Sequence, residues 1–200
     1  MFFKCAHHAP AAETSGHTET VSRNNKHFTV DIHCHIHVPE ADEYVRQESP
    51  EFTGRTMVDS NPITSKINAE QQQTILPKLT DPEIRLKDMD AQGIDVQAIS
   101  TSPFHYNYFF DAEFTRETAR LVNDRIAEVV ASHPDRFVGL GTVPLQNPEM
   151  AVTELDRCID ELGFKGVEIS TNVNGQDLTR AGLEKFFAAC EEKDVMIFIH

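Results

Sequence analysis

Two hundred residues suffice for one domain with a sizeable core, and the 40% hydrophobic and 25% charged fractions are those of an ordinary globular protein. Acidic residues outnumber basic ones by 32 to 18. The resulting net charge of -14 argues against nucleic acid and acidic membrane surfaces as partners, because both need a basic patch. No apolar run reaches the roughly 18 residues a spanning helix needs, so no membrane is expected as a partner, and Met1–Cys5 is too short for a secretion signal.

Residues 1–27 are polar and lack a hydrophobic period, which predicts a disordered amino-terminal arm. His7, His8, His17 and His27 fall in it and are read as solvated. The cysteines Cys5, Cys34, Cys158 and Cys190 form no CxxC, and reduced thiols in a cytoplasmic protein fit that spacing. Phe28 to His37 then alternates apolar and polar residues, the period of a strand. It predicts Asp31, His33, His35 and His37 on one face, with Ile32, Cys34 and Ile36 on the other. Two imidazoles at i and i+2 near a strand end can reach one ion, and zinc is the first choice for nitrogen donors mixed with a carboxylate. His37, next to Val38-Pro39, belongs to the following loop.

Residues 38–80 hold Pro39, Pro50, Gly54, Pro62 and Pro77 and show no sustained period, so a long loop serving as lid or insertion is expected. Asp81-Pro82-Glu83 opens a helix by an Asp cap, a first-position Pro and an acid in the first turn, and Gly93 closes it. Asp95 to Thr101 is a short strand, and Ser102 to Tyr106 leaves it as an aromatic loop containing His105. A helix spans 112–132, with Leu121, Val122, Ile126, Val129 and Val130 as its buried stripe. Arg136 to Pro144 is the third strand. Asn147-Pro148-Glu149 opens the next helix and Gly163 ends it. Lys165 to Ser170 is the fourth strand, followed by a loop with Asn172. A helix carries Leu183, Phe186, Phe187 and Cys190, and Val195 to His200 is the fifth strand.

Strand and helix alternate five times, which predicts parallel βαβ units of the α/β class, with function at the carboxyl ends of the strands. His33, His35 and His200 all sit near such ends and are the candidate metal ligands for one divalent ion. Such an ion lowers the pKa of a bound water to about 7 and polarises a carboxylate it touches. His105 and Asn172 are candidate substrate-binding residues on loops at the same rim. Strand alternation alone leaves open whether Glu168 faces the ion or a helix.

Five stretches carry a resemblance to the amidohydrolase superfamily, in its aminocarboxymuconate-semialdehyde decarboxylase-like branch. They are Asp31-Ile32-His33-Cys34-His35, Asp81-Pro82-Glu83-Ile84-Arg85 with Met89-Asp90, Gln97-Ala98-Ile99-Ser100-Thr101, Arg136 to Pro144 running into Glu161-Leu162-Gly163, and Phe198-Ile199-His200. The resemblance implies an eight-stranded (β/α)8 TIM barrel, of which residues 28–200 supply the first five β/α units. It implies a single zinc-type ion held by His33 and His35 from strand one and His200 from strand five. The reaction it implies is non-oxidative loss of carbon dioxide from an unsaturated or aromatic carboxylic acid, in a protein that forms a homodimer. Binuclear relatives carry a modified lysine after strand four; Glu168-Ile169-Ser170 has none, which favours one ion. The family's general-base histidine and acidic ligand would fall beyond residue 200, so catalytic residues are not assigned in this stretch. Lining up at Asp81 places Gln73 or Leu76 where the family's lid holds a substrate carboxylate with arginine. Five parallel strands cannot close a barrel, so the sequence is expected to be a truncated form of a protein with about 150 more residues. Hydrolysis of an amide, lactone or ester at the same site, and a non-catalytic half-barrel, are the alternative readings.

Overall fold

The computed structural model describes residues 27–50 and 61–200. Five parallel strands form one sheet in the order β1 (Val30–Ile36), β2 (Val96–Thr101), β3 (Phe137–Gly141), β4 (Gly166–Ile169) and β7 (Met196–Ile199). Each strand pairs with the next in the series, and a helix fills each interval. These helices are α3 (Pro82–Gln92), α4 (Ala112–Ser132), α5 (Pro148–Asp156) and α6 (Glu184–Glu192). The curled sheet is the expected first part of a (β/α)8 barrel. No helix among the described residues is long and apolar enough to cross a membrane.

The helix boundaries follow from local chemistry. Asp81 caps α3 by accepting from the Glu83 and Ile84 N–H groups, and Gly93 ends it in the left-handed region at φ 72°. Asn147 caps α5 in the same way, accepting from Glu149 and Met150. Along α4 the buried residues include Val122, Ile126 and Val129, and the helix packs on β2 and β3. One core cluster fills the space between β1–β3 and the helices, with Cys34, Ile36, Met89, Ile99, Ile126 and Phe137. A second sits under β4 and α6, with Val143, Leu155, Val167, Ile169, Leu183 and Phe186. Cys34, Cys158 and Cys190 are free and buried, and burial raises their thiol pKa values, Cys190 to about 11.

Three expectations change. The connection over residues 38–80 is not an irregular loop: it holds α1 (Pro39–Glu48) and α2 (Pro62–Thr80). Pro39 and Pro62 each occupy the first turn of a helix, where a missing N–H costs nothing. Ile32 does not share the buried face of Cys34 and Ile36: it is half exposed, and β1 slips register between Asp31 and Cys34. Ile32 and His33 together stand opposite Ala98, a bulge that breaks the strict alternation. The loop after β4 contains a small hairpin, β5 (Asn172–Val173) paired with β6 (Gln176–Asp177). The expected arm lies outside the described residues except for His27, as does the part of the insertion from 51 to 60.

Candidate metal centre

The parallel sheet brings the carboxyl ends of β1 and β7 to one rim. There the three imidazoles of His33, His35 and His200 converge, with one ring nitrogen of each within 4.8 Å of the others. His35 is the middle member. Its Nε2 lies 3.1 Å from His33 Nε2 and 3.1 Å from His200 Nε2. Its Nδ1 sits 2.7 Å from the Thr101 carbonyl oxygen, which can only accept, so Nδ1 carries the proton and Nε2 presents a lone pair. That is the tautomer a metal ligand requires. His200 is placed by the β4–β7 ladder: its N–H donates to Ile169 O at 2.9 Å, and its own carbonyl accepts from Thr171 N–H at 3.2 Å. The Phe198 ring stands 5.3 Å from that of His33.

The expected carboxylate of β1 does not join the imidazoles. Asp31 accepts from Gln97 Nε2 at 3.2 Å and from the His33 N–H at 3.2 Å. Gln97 in turn accepts from Arg85, whose second guanidinium nitrogen donates to the His35 carbonyl at 2.5 Å. This chain of buried Arg85 and Gln97 with partly buried Asp31 fixes the strand that carries the histidine pair. Arg85 and Gln97 lie within stretches singled out above, but no sequence signal pairs them.

Glu168 faces the centre, not a helix. It has no exposed surface, its Oε1 accepts from the Tyr106 hydroxyl, and its Oε2 lies 3.5 Å from His35 Nδ1. Burial lowers the His35 pKa below 6.5, and the nearby Glu168 charge opposes that shift. The Tyr106 phenol is pushed well up, by burial first and by its bond to Glu168 second.

His105 does not meet the trio. It is 2% exposed, and its Nε2 lies 3.1 Å from Asp42 Oδ1, while His37 Nε2 lies 2.8 Å from the other Asp42 oxygen. The His37 and His105 rings stack at 4.8 Å. Burial raises the Asp42 carboxyl, but hydrogen bonds from His105 and His37 outweigh it and hold the carboxyl well below its usual range. Asp42 sits on α1, so the pair clamps that helix to the ends of β1 and β2. Asn172 is exposed on the hairpin, where its Oδ1 accepts from Gly175 N–H at 3.1 Å.

A family profile described as amidohydrolase matches residues 30–200. The 2-amino-3-carboxymuconate-6-semialdehyde decarboxylase of Dictyostelium discoideum is 39% identical over 120 residues, covering 60% of this chain and 33% of that protein. The gamma-resorcylate decarboxylase of a Polaromonas strain is 36% identical over 118 residues, covering 59% of this chain and 36% of that one. Among solved structures, 5-carboxyvanillate decarboxylase of Novosphingobium aromaticivorans, complexed with manganese and 4-hydroxy-3-methoxy-5-nitrobenzoic acid, aligns with a TM-score of 0.78 at 29% identity. It matches over 93% of this chain and 54% of its own. The chain thus spans about a third of the length of these curated relatives and about half of that solved structure.

Proposed function

Because the chain belongs to the amidohydrolase family, we propose that it carries the metal-holding part of a non-oxidative carboxy-lyase, which releases carbon dioxide from an unsaturated or aromatic carboxylic acid. One observation carries the reading: the His35 Nε2 lone pair lies 3.1 Å from one ring nitrogen each of His33 and His200. Bare imidazole nitrogens at that separation repel unless a proton or a cation lies between them. Neighbouring ligands of one ion with bonds of about 2.1 Å stand about 3.0 Å apart at octahedral angles and about 3.4 Å apart at tetrahedral ones, so the spacing fits a shared divalent cation. Three nitrogen donors suit zinc. The solved carboxyvanillate relative holds manganese, so both ions belong in the test.

When bound, the ion supplies positive charge that draws in the substrate carboxylate and steadies negative charge as the carbon–carbon bond breaks. The chain's own residues do the rest by placement. Thr101 O fixes the plane and tautomer of the His35 ring, and the Phe198 ring limits how far His33 can swing. Asn172 borders the substrate space from the β5–β6 hairpin. His105 holds α1 at the ends of β1 and β2 through Asp42. Helices α1 and α2 cover the substrate, with Gln73 or Leu76 of α2, both exposed, at the place suited to meeting it. Support for the cover comes from α2, which has no buried residue and leaves Ile63, Ile67 and Ile75 exposed.

The test combines metal analysis with a substrate screen. Purified protein is expected to hold one divalent ion per chain, and the full-length protein to release carbon dioxide from aromatic or unsaturated acids; His35→Ala is expected to lose both. Protein that binds no divalent ion, with turnover unchanged in His35→Ala, would refute the reading. A new acid group formed without carbon dioxide would make the enzyme a hydrolase.

A further inference from the structure

Glu168 is a buried carboxylate with an unusual set of neighbours. It is 0% exposed, yet among the described residues its polar side-chain partners are the Tyr106 hydroxyl and the His35 imidazole, with no lysine or arginine paired to it. A carboxylate taken out of water without a cation is costly, so its retention calls for a compensating positive charge. β4 pairs with β7 so that Glu168 stands opposite Phe198, the residue whose ring packs on His33. The carboxylate therefore lies directly behind the rim where the three imidazoles meet.

We propose that Glu168 is a positioning residue that strengthens His35 as a metal ligand, and that Tyr106 holds its carboxylate in place for that purpose. The inference rests on the ligand trio proposed above. Three groups lie against His35 Nδ1: the Ser100 hydroxyl at 3.3 Å, and two with separate tasks. Thr101 O, at 2.7 Å, takes the Nδ1 proton and orients the ring. Glu168 Oε2, at 3.5 Å, supplies charge. A divalent ion held by Nε2 would draw electrons from the ring and leave Nδ1–H more positive, and a fully buried carboxylate at that distance would attract it with little screening. By linkage, whatever the carboxylate gains when the ion binds appears as tighter binding of the ion.

The experiment is a titration of the metal-free protein with manganese and with zinc, for the unsubstituted chain, Glu168→Gln and Tyr106→Phe. Melting of each metal-free form and the visible spectrum of each cobalt-substituted form are measured alongside. Glu168→Gln keeps shape and removes charge, so metal affinity is expected to fall about tenfold to a hundredfold. The metal-free melting temperature should not fall, because no paired cation is orphaned, and the cobalt band should move. Tyr106→Phe should weaken affinity in the same direction by less. Unchanged affinity with an unmoved cobalt band overturns the proposal, and so does an affinity loss that only tracks a lower metal-free melting temperature. If Glu168→Gln does not fold, Tyr106→Phe decides by the same two readings. Failure of the unsubstituted protein to bind any of the ions overturns the ligand trio as well, whereas equal affinities in all three proteins overturn the role of Glu168 alone.

Discussion

Replacing Gly166 by alanine should damage fold and metal site together. Gly166 opens β4 opposite Met196 of β7. A Cβ at Gly166 would stand 2.0 Å from the Met196 carbonyl oxygen and 2.8 Å from its carbonyl carbon. Both are backbone atoms, so no side chain can swing aside. Carbon–oxygen contacts settle near ~3.3 Å, and from 2.0 Å the strands must separate by about 1.3 Å. The Met196 N–H to Lys165 O bond, already 3.2 Å, would be lost. His200 rides on the same strand, so its nitrogen would leave the 3.1 Å contact with His35. Overpacking of this kind costs about 1–3 kcal/mol. At this chain length that lowers the melting temperature by roughly 2–12 °C. Thermal melting followed by circular dichroism, with a metal titration on the same sample, reads both effects. Wild-type melting with wild-type affinity would refute the claim that close β4–β7 pairing holds His200 in place.

Asn123→Ala should cost about 3 kcal/mol, because the amide bonds Thr142 O at 2.9 Å, Glu154 Oε1 at 2.7 Å and Thr142 N–H at 2.9 Å in a fully buried position. Urea unfolding measures this, and an unchanged midpoint would contradict it. Asp42 has a folded pKa below its unfolded value of 3.8, so its stabilisation is complete above that pH and is lost as pH falls toward the folded value. Asp42→Asn should therefore be less stable at neutral pH, with a shallower decline below about pH 4; parallel melting curves for the two proteins from pH 6 to pH 3 would count against the clamp. Adding zinc or manganese at a hundred times its dissociation constant should stabilise the protein by about 2.7 kcal/mol. A chelator should reverse the gain, and His35→Ala should show none; an equal gain in the variant would place the ion elsewhere.

The barrel units were legible because their signals are local. Asp81-Pro82 and Asn147-Pro148 mark helix starts by capping chemistry within four residues, and the structure uses both. The His33–His35 pair was visible from a spacing of two, and His200 from its place after an apolar strand. What escaped the sequence depends on distant partners or lacks a pattern. Helix α2 has no buried residue, so no apolar stripe announces it, and Pro39 and Pro62 read as loop markers when they are first-turn residues. The β1 bulge has no glycine to betray it. Asp42 and His105 meet across 63 positions of chain, and Tyr106 and Glu168 across 62. His105 looked like a pocket residue because it sits in an aromatic loop, yet its ring is turned inward to an acid that no periodicity could pair with it.

The contact between His35 and His200 spans 165 positions. An ion offered to the nascent or unfolded chain would find the β1 pair alone and bind it weakly, since the third donor arrives only after every intervening strand has taken its place. Loop closure over such a span is slow and entropically dear. Metal loading should therefore follow assembly of the sheet and act as a latch on the finished rim. Refolding rates should be indifferent to added metal, while unfolding slows.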